Sequence, residues 1–255
     1  AERDWELAKN YPADMAVRAD VGTTLRALIA TLRRRMDGAA RGAADGRLQG
    51  LAARNWAAKR ALAVADALKF ADRLPLTPAY LSKVLADAIP DDAVVLEEAL
   101  TTGFPLLDFL RLRDSQGFYG LASGGIGFAM GGAVGISLAL PQRPVVALVG
   151  DGSAMYSIQA LWTAAHCKRP ITYVIANNRS YRILKERLKA FRGTDRFVGM
   201  DLREPDIDFV ALATSMGVRA ARIERPDQFE PALREASRSG QTWLLDVPVA
   251  DGFGN

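Results

Sequence analysis

Two short stretches of this chain bring together residues that could do chemistry. The first is Gly150-Asp151-Gly152-Ser153, which follows the apolar run Pro144-Val145-Val146-Ala147-Leu148-Val149. The second is Asn177-Asn178, which follows the apolar run Ile171–Ala176. Each run is rich in β-branched residues and bounded by turn formers, the pattern of a buried strand in a parallel sheet. Asp151 and the asparagines then sit at carboxyl ends of strands, where open α/β sheets bind ligands. Gly150 and Gly152 let the backbone turn sharply and approach a ligand closely. One carboxylate and one amide oxygen make a hard donor set of low charge. That set suits Mg²⁺, which leaves other positions to water and substrate phosphates.

A third stretch, Thr101-Thr102-Gly103, follows Glu97-Glu98 at the end of another predicted strand. Hydroxyls and free amides there could meet phosphate; a helix cap with no ligand accounts for the same residues. The single histidine, His166, stands beside the single cysteine, Cys167. No third ligand lies at zinc spacing, and the pair falls at the opposite end of the sheet from Asp151, so a structural role is expected.

Positioning these residues takes an alternating series of elements. A helix is expected from Ser157 to His166 between the two motif strands. Thr77-Pro78 is a helix-start signature, and that helix runs to about Ala88, where Pro90-Asp91-Asp92 breaks it. Ala93–Leu96 reads as a strand. Gly124–Leu140 is a buried helix dense in glycine, and since glycine costs about 1 kcal/mol at a helix-interior position, tight packing is expected at Gly131–Gly135. Helix 208–216, strand 218–223, helix 228–239 and strand 243–247 complete the series. The pattern predicts an α/β fold, a parallel sheet covered by helices on both faces.

Composition excludes several classes. The net charge is +4 over 255 residues, and much of it is arginine between Arg26 and Arg60. Arg33-Arg34-Arg35 closes a predicted helix, where cations meet the carboxyl end of the helix dipole, so a solvated face is expected and no nucleic-acid partner. No apolar run reaches the ~20 residues of a membrane helix, and no signal-like segment opens the chain. One cysteine forbids an internal disulfide and points to a reducing, cytoplasmic setting. The organisation reads as three parts. Residues 1–36 hold a last strand at Ala16–Asp20 and a helix capped by Asp20 or Thr23. Residues 37–75 form a linker, flexible at Gly38–Gly46 and helical from Asn55 to Phe70. Residues 76–255 form the compact domain. The chain begins with Ala and reads as part of a longer protein.

The paired motif Gly-Asp-Gly…Asn-Asn resembles the diphosphate-anchoring motif of thiamine diphosphate (ThDP) enzymes. With Ala122-Ser123-Gly124-Gly125-Ile126-Gly127-Phe128-Ala129, Gly150–Ala165 and Asn177-Asn178-Arg179-Ser180-Tyr181, the chain resembles the C-terminal part of the benzoylformate decarboxylase and acetolactate synthase family. The resemblance implies Mg²⁺ held by Asp151, the side chain of Asn178 and the carbonyl of Ser180. It implies ThDP contacts from Thr101, Gly152, Ser153, Tyr156 and Tyr181. The Gly124 carbonyl would accept from the 4′-amino group of the pyrimidine, and Ile126 would be the wedge that bends the cofactor. Leu100 stands where the family often has a hydroxyl residue. Arg182 replaces a small residue, with Ile183 and Leu184 facing substrate. Residues 1–36 resemble the end of the family's middle domain.

The activity implied is decarboxylation of a small 2-oxo acid, or acetolactate-type carboligation. The family draws its activating glutamate from a separate N-terminal pyrimidine-binding domain across a subunit interface, so neither Glu97 nor Glu98 takes that role. This chain by itself is expected to be inactive and to associate as a homo-oligomer through an exposed apolar face. Two other readings are a non-catalytic cofactor-binding module serving a partner chain, and an interaction domain that has lost the cofactor. Intact Asp151, Asn178 and Gly-Asp-Gly-Ser argue against the last.

Overall fold

The computed structural model describes residue 7, residues 9–122 and residues 124–252. The chain divides into two compact units, 1–58 and 59–255. In the first, α1 (Val21–Arg35) starts at Asp20, whose carboxylate accepts the Thr23 amide at 2.7 Å, and ends on Arg33-Arg34-Arg35. Such a cap satisfies one of the four amides that a helix start leaves without partners. Two local expectations fail here. Residues 16–20 form no strand. Residues 38–46, expected to be flexible, belong to a helix, α2 (Gly38–Ala52). There the Asp37 carboxylate accepts the Ala40 amide at 2.8 Å, and a run of alanines, the best helix formers, outweighs the glycines. Neither α1 nor α2 has a buried residue. Next, α3 (Trp56–Leu68) starts beside Asn55, whose side chain accepts the Ala58 amide at 2.9 Å.

The second unit carries the sheet. It takes up α3 from residue 59 onward, and the next helix, α4 (Pro78–Ala88), is capped by Thr77, whose hydroxyl accepts the Tyr80 amide at 3.2 Å. Then come β1 (Val94–Glu98), a 3-10 turn (Leu100–Thr102), α5 (Leu106–Phe109), β2 (Phe118–Gly120) and α6 (Phe128–Ala139). They are followed by β3 (Val145–Gly150), α7 (Asp151–Ala154), α8 (Ala160–His166), β4 (Ile171–Asn177) and α9 (Arg182–Arg192). The series closes with α10 (Phe209–Ser215), β5 (Arg219–Arg222), α11 (Pro226–Arg238) and β6 (Trp243–Pro248).

All six strands are parallel, in the order β2-β1-β3-β4-β6-β5. Side chains alternate between the two faces of a strand. Val146 and Leu148 therefore join Val95, Leu245 and Val247 in a core under α4 and α11. Val145, Ala147 and Val149 join Leu96, Tyr173 and Ile175 in a second core under α6, α8 and α10. Both faces are buried, which is why the strands read as continuous apolar runs rather than as alternating ones. The unit is tied at its start and end: the Leu76 amide donates to the Pro248 carbonyl, and the Ala250 amide to the Leu76 carbonyl, each at 2.9 Å.

Glycines on α6 divide in a way the sequence did not indicate. A Cβ at Gly132 would lie 3.0 Å from the Phe128 ring and 3.3 Å from Leu96, whereas at Gly131 and Gly135 it would meet nothing within 4 Å. Tight packing within the chain holds at Gly132 and is absent at the other two. Among the described residues no helix is long and apolar enough to cross a membrane.

Candidate functional site

Connections leave β1 and β3 on opposite faces. The chain passes from β1 through α5, whose Leu106 packs in the first core, and from β3 through α8, whose Leu161 packs in the second. Such a divergence opens a crevice at the carboxyl ends of the two strands. A cavity open to solvent, with about 40 Å³ of room for water, lies there. Thr101, Asp151, Gly152, Ser153, Asn178, Ser180 and Tyr181 line it, seven of the ten residues singled out in the sequence, joined by Leu100, Arg182 and Ile183. The structure thus brings together three strand ends that lie far apart along the chain.

Asp151 opens α7 and is 3% exposed. Its Oδ1 accepts the Gly152 amide at 2.8 Å, and its Oδ2 accepts the Arg179 amide at 2.5 Å. Burial pushes the carboxyl up to about 6 against these bonds, and the nearby Asp246 charge adds to the rise. Among the described residues no cationic side chain pairs with Asp151; the Arg179 guanidinium turns instead to Asp206. A buried carboxylate without a counter-charge is costly unless a cation reaches it. Asn178 is buried, and its Oδ1 accepts the Ser180 amide at 2.9 Å. The loop that carries both residues is strapped from outside. The Tyr181 amide donates to the Met200 carbonyl, and the Leu202 amide to the Arg179 carbonyl, each at 2.8 Å. Arg179 holds a left-handed φ of 57° in this loop.

Gly152 is required by close approach: a Cβ there would lie 2.6 Å from the Tyr181 ring. Leu100 also has a left-handed φ, 48°, at the position where a hydroxyl was missed in the sequence. No group of three His, Cys, Asp or Glu side chains among the described residues could hold a metal ion. An ion at this place would rest on one carboxylate, one amide oxygen and backbone carbonyls. That is a hard oxygen set with coordination positions to spare, and it fits Mg²⁺ shared with a phosphate ligand.

Three of the predicted residues lie outside the cavity lining. Gly124 has φ 74°, Ile126 is 42% exposed and Tyr156 is 62% exposed. Ser123, between Ala122 and Gly124, lies outside the described residues. His166 stacks on Trp162, with ring centroids 4.8 Å apart, at the end of α8 that leads to the amino end of β4. It precedes the amino end of β4, whereas Asn177-Asn178 stand at the carboxyl end of that strand.

Two carboxylates carry parts that the sequence did not assign to them. Glu98 is fully buried, and its two oxygens accept the Gly127 and Ala129 amides, each at 2.5 Å. Asp246 on β6 is 1% exposed. It accepts from the Asn177 side chain at 2.9 Å and from Arg222 at 2.6 Å, and burial raises its carboxyl above the ordinary range. Both were legible in part. Period-2 alternation puts Glu98 on the same buried face as Val94 and Leu96, and an acid there must find donors.

Residues 104–247 match the family described as thiamine pyrophosphate enzyme, C-terminal TPP binding domain. The benzoylformate decarboxylase of Pseudomonas aeruginosa is 33% identical over 175 residues, which cover 69% of this chain and 33% of that protein. The acetolactate synthase large subunit of Parasynechococcus marenigrum is 29% identical over 257 residues, 97% of this chain and 38% of that protein. A solved structure of a thiamine diphosphate-dependent 4-hydroxybenzoylformate decarboxylase from Rhodococcus jostii superposes with a TM-score of 0.65 at 37% identity, over 69% of this chain and 33% of that one. The chain spans about a third of the length of these relatives.

Proposed function

The chain belongs to the thiamine pyrophosphate enzymes, as their C-terminal TPP-binding domain, and from that premise we propose that it anchors ThDP through Mg²⁺ for a 2-oxo acid decarboxylase. Asp151, the Asn178 side-chain oxygen and the Ser180 carbonyl hold the ion. Thr101, Gly152, Ser153 and Tyr181 face the diphosphate, whose negative charge balances the ion. Gly124 and Ile126 stand toward the pyrimidine, the carbonyl of the first accepting its amino group and the side chain of the second setting the bend. When bound, ThDP would supply the carbanion that adds to a 2-oxo acid and the electron sink for the pair left on carbon when CO2 departs. This chain's share is anchoring, orientation and the exclusion of water from a buried floor.

The observation that carries this reading is the cavity at the β1–β3 crevice, which gathers Asp151, Asn178 and Ser180 beside the glycine turn of α7. The activating glutamate belongs to an N-terminal pyrimidine-binding domain of the same or a partner chain. The chain is therefore inactive alone, works in a cytoplasmic homo-oligomer and resembles the end of a middle domain in residues 1–36. The 37% identity to the 4-hydroxybenzoylformate decarboxylase structure supports decarboxylation. An acetolactate synthase-like carboligase is the second reading, favoured by the match that extends over 97% of the chain.

Calorimetric titration with ThDP, with and without Mg²⁺, tests the proposal beside Asn178→Ala. Binding that needs the metal and is lost in the variant is the expected result. Equal ThDP affinity in wild type and variant would refute it.

A further inference from the structure

We propose that Glu98 is the positioning residue of the glycine turn at 124–127, and that it sets the aminopyrimidine half of the site separately from the diphosphate half. The proposal rests on the ThDP reading above. Glu98 ends β1 on the face turned toward α6, at 0% exposure. Among the described residues it has no cationic partner. Its two oxygens are divided between the Gly127 and Ala129 amides at the start of α6. These are amides that the helix itself leaves unbonded, and the amino end of the helix dipole supplies the counter-charge. Carboxylate-to-amide bonds of this kind are among the stronger ones in proteins.

The same turn is held from its other side. The Ser157 hydroxyl donates to the Gly127 carbonyl at 2.6 Å. Gly127 has φ 96°, and a Cβ there would lie 2.8 Å from Cβ of Tyr156. The turn is thus pinned at Glu98 and Ser157 and passes too close to Tyr156 for any residue but glycine. None of these contacts involves Asp151, Asn178 or Ser180. Ile126 is 42% exposed, so its position follows from the turn rather than from packing of its own. Neutralising Glu98 sets an amide NH₂ against one of the two backbone amides and releases the turn. The metal side remains as it was, because the strap at residues 200–202 and the Arg179 amide hold it independently.

The experiment compares two probes on the full chain with Mg²⁺: ThDP, and inorganic pyrophosphate, which lacks the pyrimidine. Glu98→Gln should weaken ThDP by roughly 10- to 100-fold and leave pyrophosphate within about twofold, given the worth of a buried bond to a charged group. Ser157→Ala should act in the same direction by a smaller factor, and it carries the test if Glu98→Gln does not fold. In the cofactor-free chain the Gly127 and Ala129 amides should exchange slowly in wild type and quickly in Glu98→Gln. Equal weakening of both probes, unchanged ThDP affinity, or unprotected amides in wild type would each overturn the proposal. Wild-type protein that binds neither probe would refute the cofactor reading itself, and amide exchange would still decide whether Glu98 holds the turn.

Discussion

Replacing Asp151 by asparagine should make the metal-free protein more stable at neutral pH while removing its metal site. The folded carboxyl is pushed from 3.8 up to about 6. Between those values the folded chain holds a proton that the unfolded chain has released, so stability falls as pH rises. The contribution is fully present below the unfolded value and is lost as pH climbs through about 6. A shift of about 2 units at 1.36 kcal/mol each makes the loss about 3 kcal/mol. The variant does not titrate. Its amide oxygen can keep the bond from the Gly152 amide, but its NH₂ faces the Arg179 amide, and losing that bond costs about 1 kcal/mol. In chelator the variant should therefore be more stable than wild type by about 2 kcal/mol near pH 7, and less stable by about 1 kcal/mol near pH 3. Urea denaturation of both proteins at the two pH values reads this crossing directly. Added Mg²⁺ and ThDP should then stabilise wild type alone. A variant that is no more stable than wild type in chelator at neutral pH would refute the account of Asp151 as a buried charge awaiting a cation.

Gly152→Ala should lower ThDP affinity by about tenfold or more, because the new methyl displaces the Tyr181 ring from the cavity wall; calorimetry alongside wild type checks it. Gly131→Ala and Gly135→Ala should each raise stability by up to about 1 kcal/mol in dilute protein, since nothing opposes the added Cβ. Gly132→Ala should lower it against the Phe128 ring, and thermal unfolding of the three variants ranks them. Lys185, 4% exposed and paired with Asp201 at 2.8 Å and Asp251 at 3.3 Å, should cost about 2 kcal/mol as Lys185→Ala, the worth of a bond to a charged group, because Asp251 loses its nearer cation and keeps only Arg203 at 3.9 Å. Denaturant titration measures that loss, and a change below about 0.5 kcal/mol would match a surface pair instead.

The continuous apolar runs 144–149 and 171–176 were enough to place two buried parallel strands, because a strand covered on both faces has no polar positions to break its pattern. Turn chemistry then put Asp151 and Asn178 at strand ends, and Thr77-Pro78 and Asp20 marked helix starts through bonds that span only three residues. Where local chemistry was ambiguous, the reading failed. The glycines at 38–46 suggest flexibility, yet alanine propensity and the Asp37 cap carry them into α2. The match of residues 104–247 to a thiamine pyrophosphate-binding domain agrees with the paired motif seen in the chain alone.

What the sequence by itself determined is thus the set of elements and the residue types at their ends, because periodicity, capping and turns act over a few positions. What only the tertiary structure decided is which distant groups meet. Glu98 finds amides 29 and 31 residues away, Asp246 finds Asn177 across 69, and the Asp151 carboxylate meets the Arg179 amide across 28. Buried acids must be satisfied wherever the fold leaves a donor, and that donor is set by the parallel crossovers that bring β1, β3, β4 and β6 side by side rather than by any neighbour in the chain.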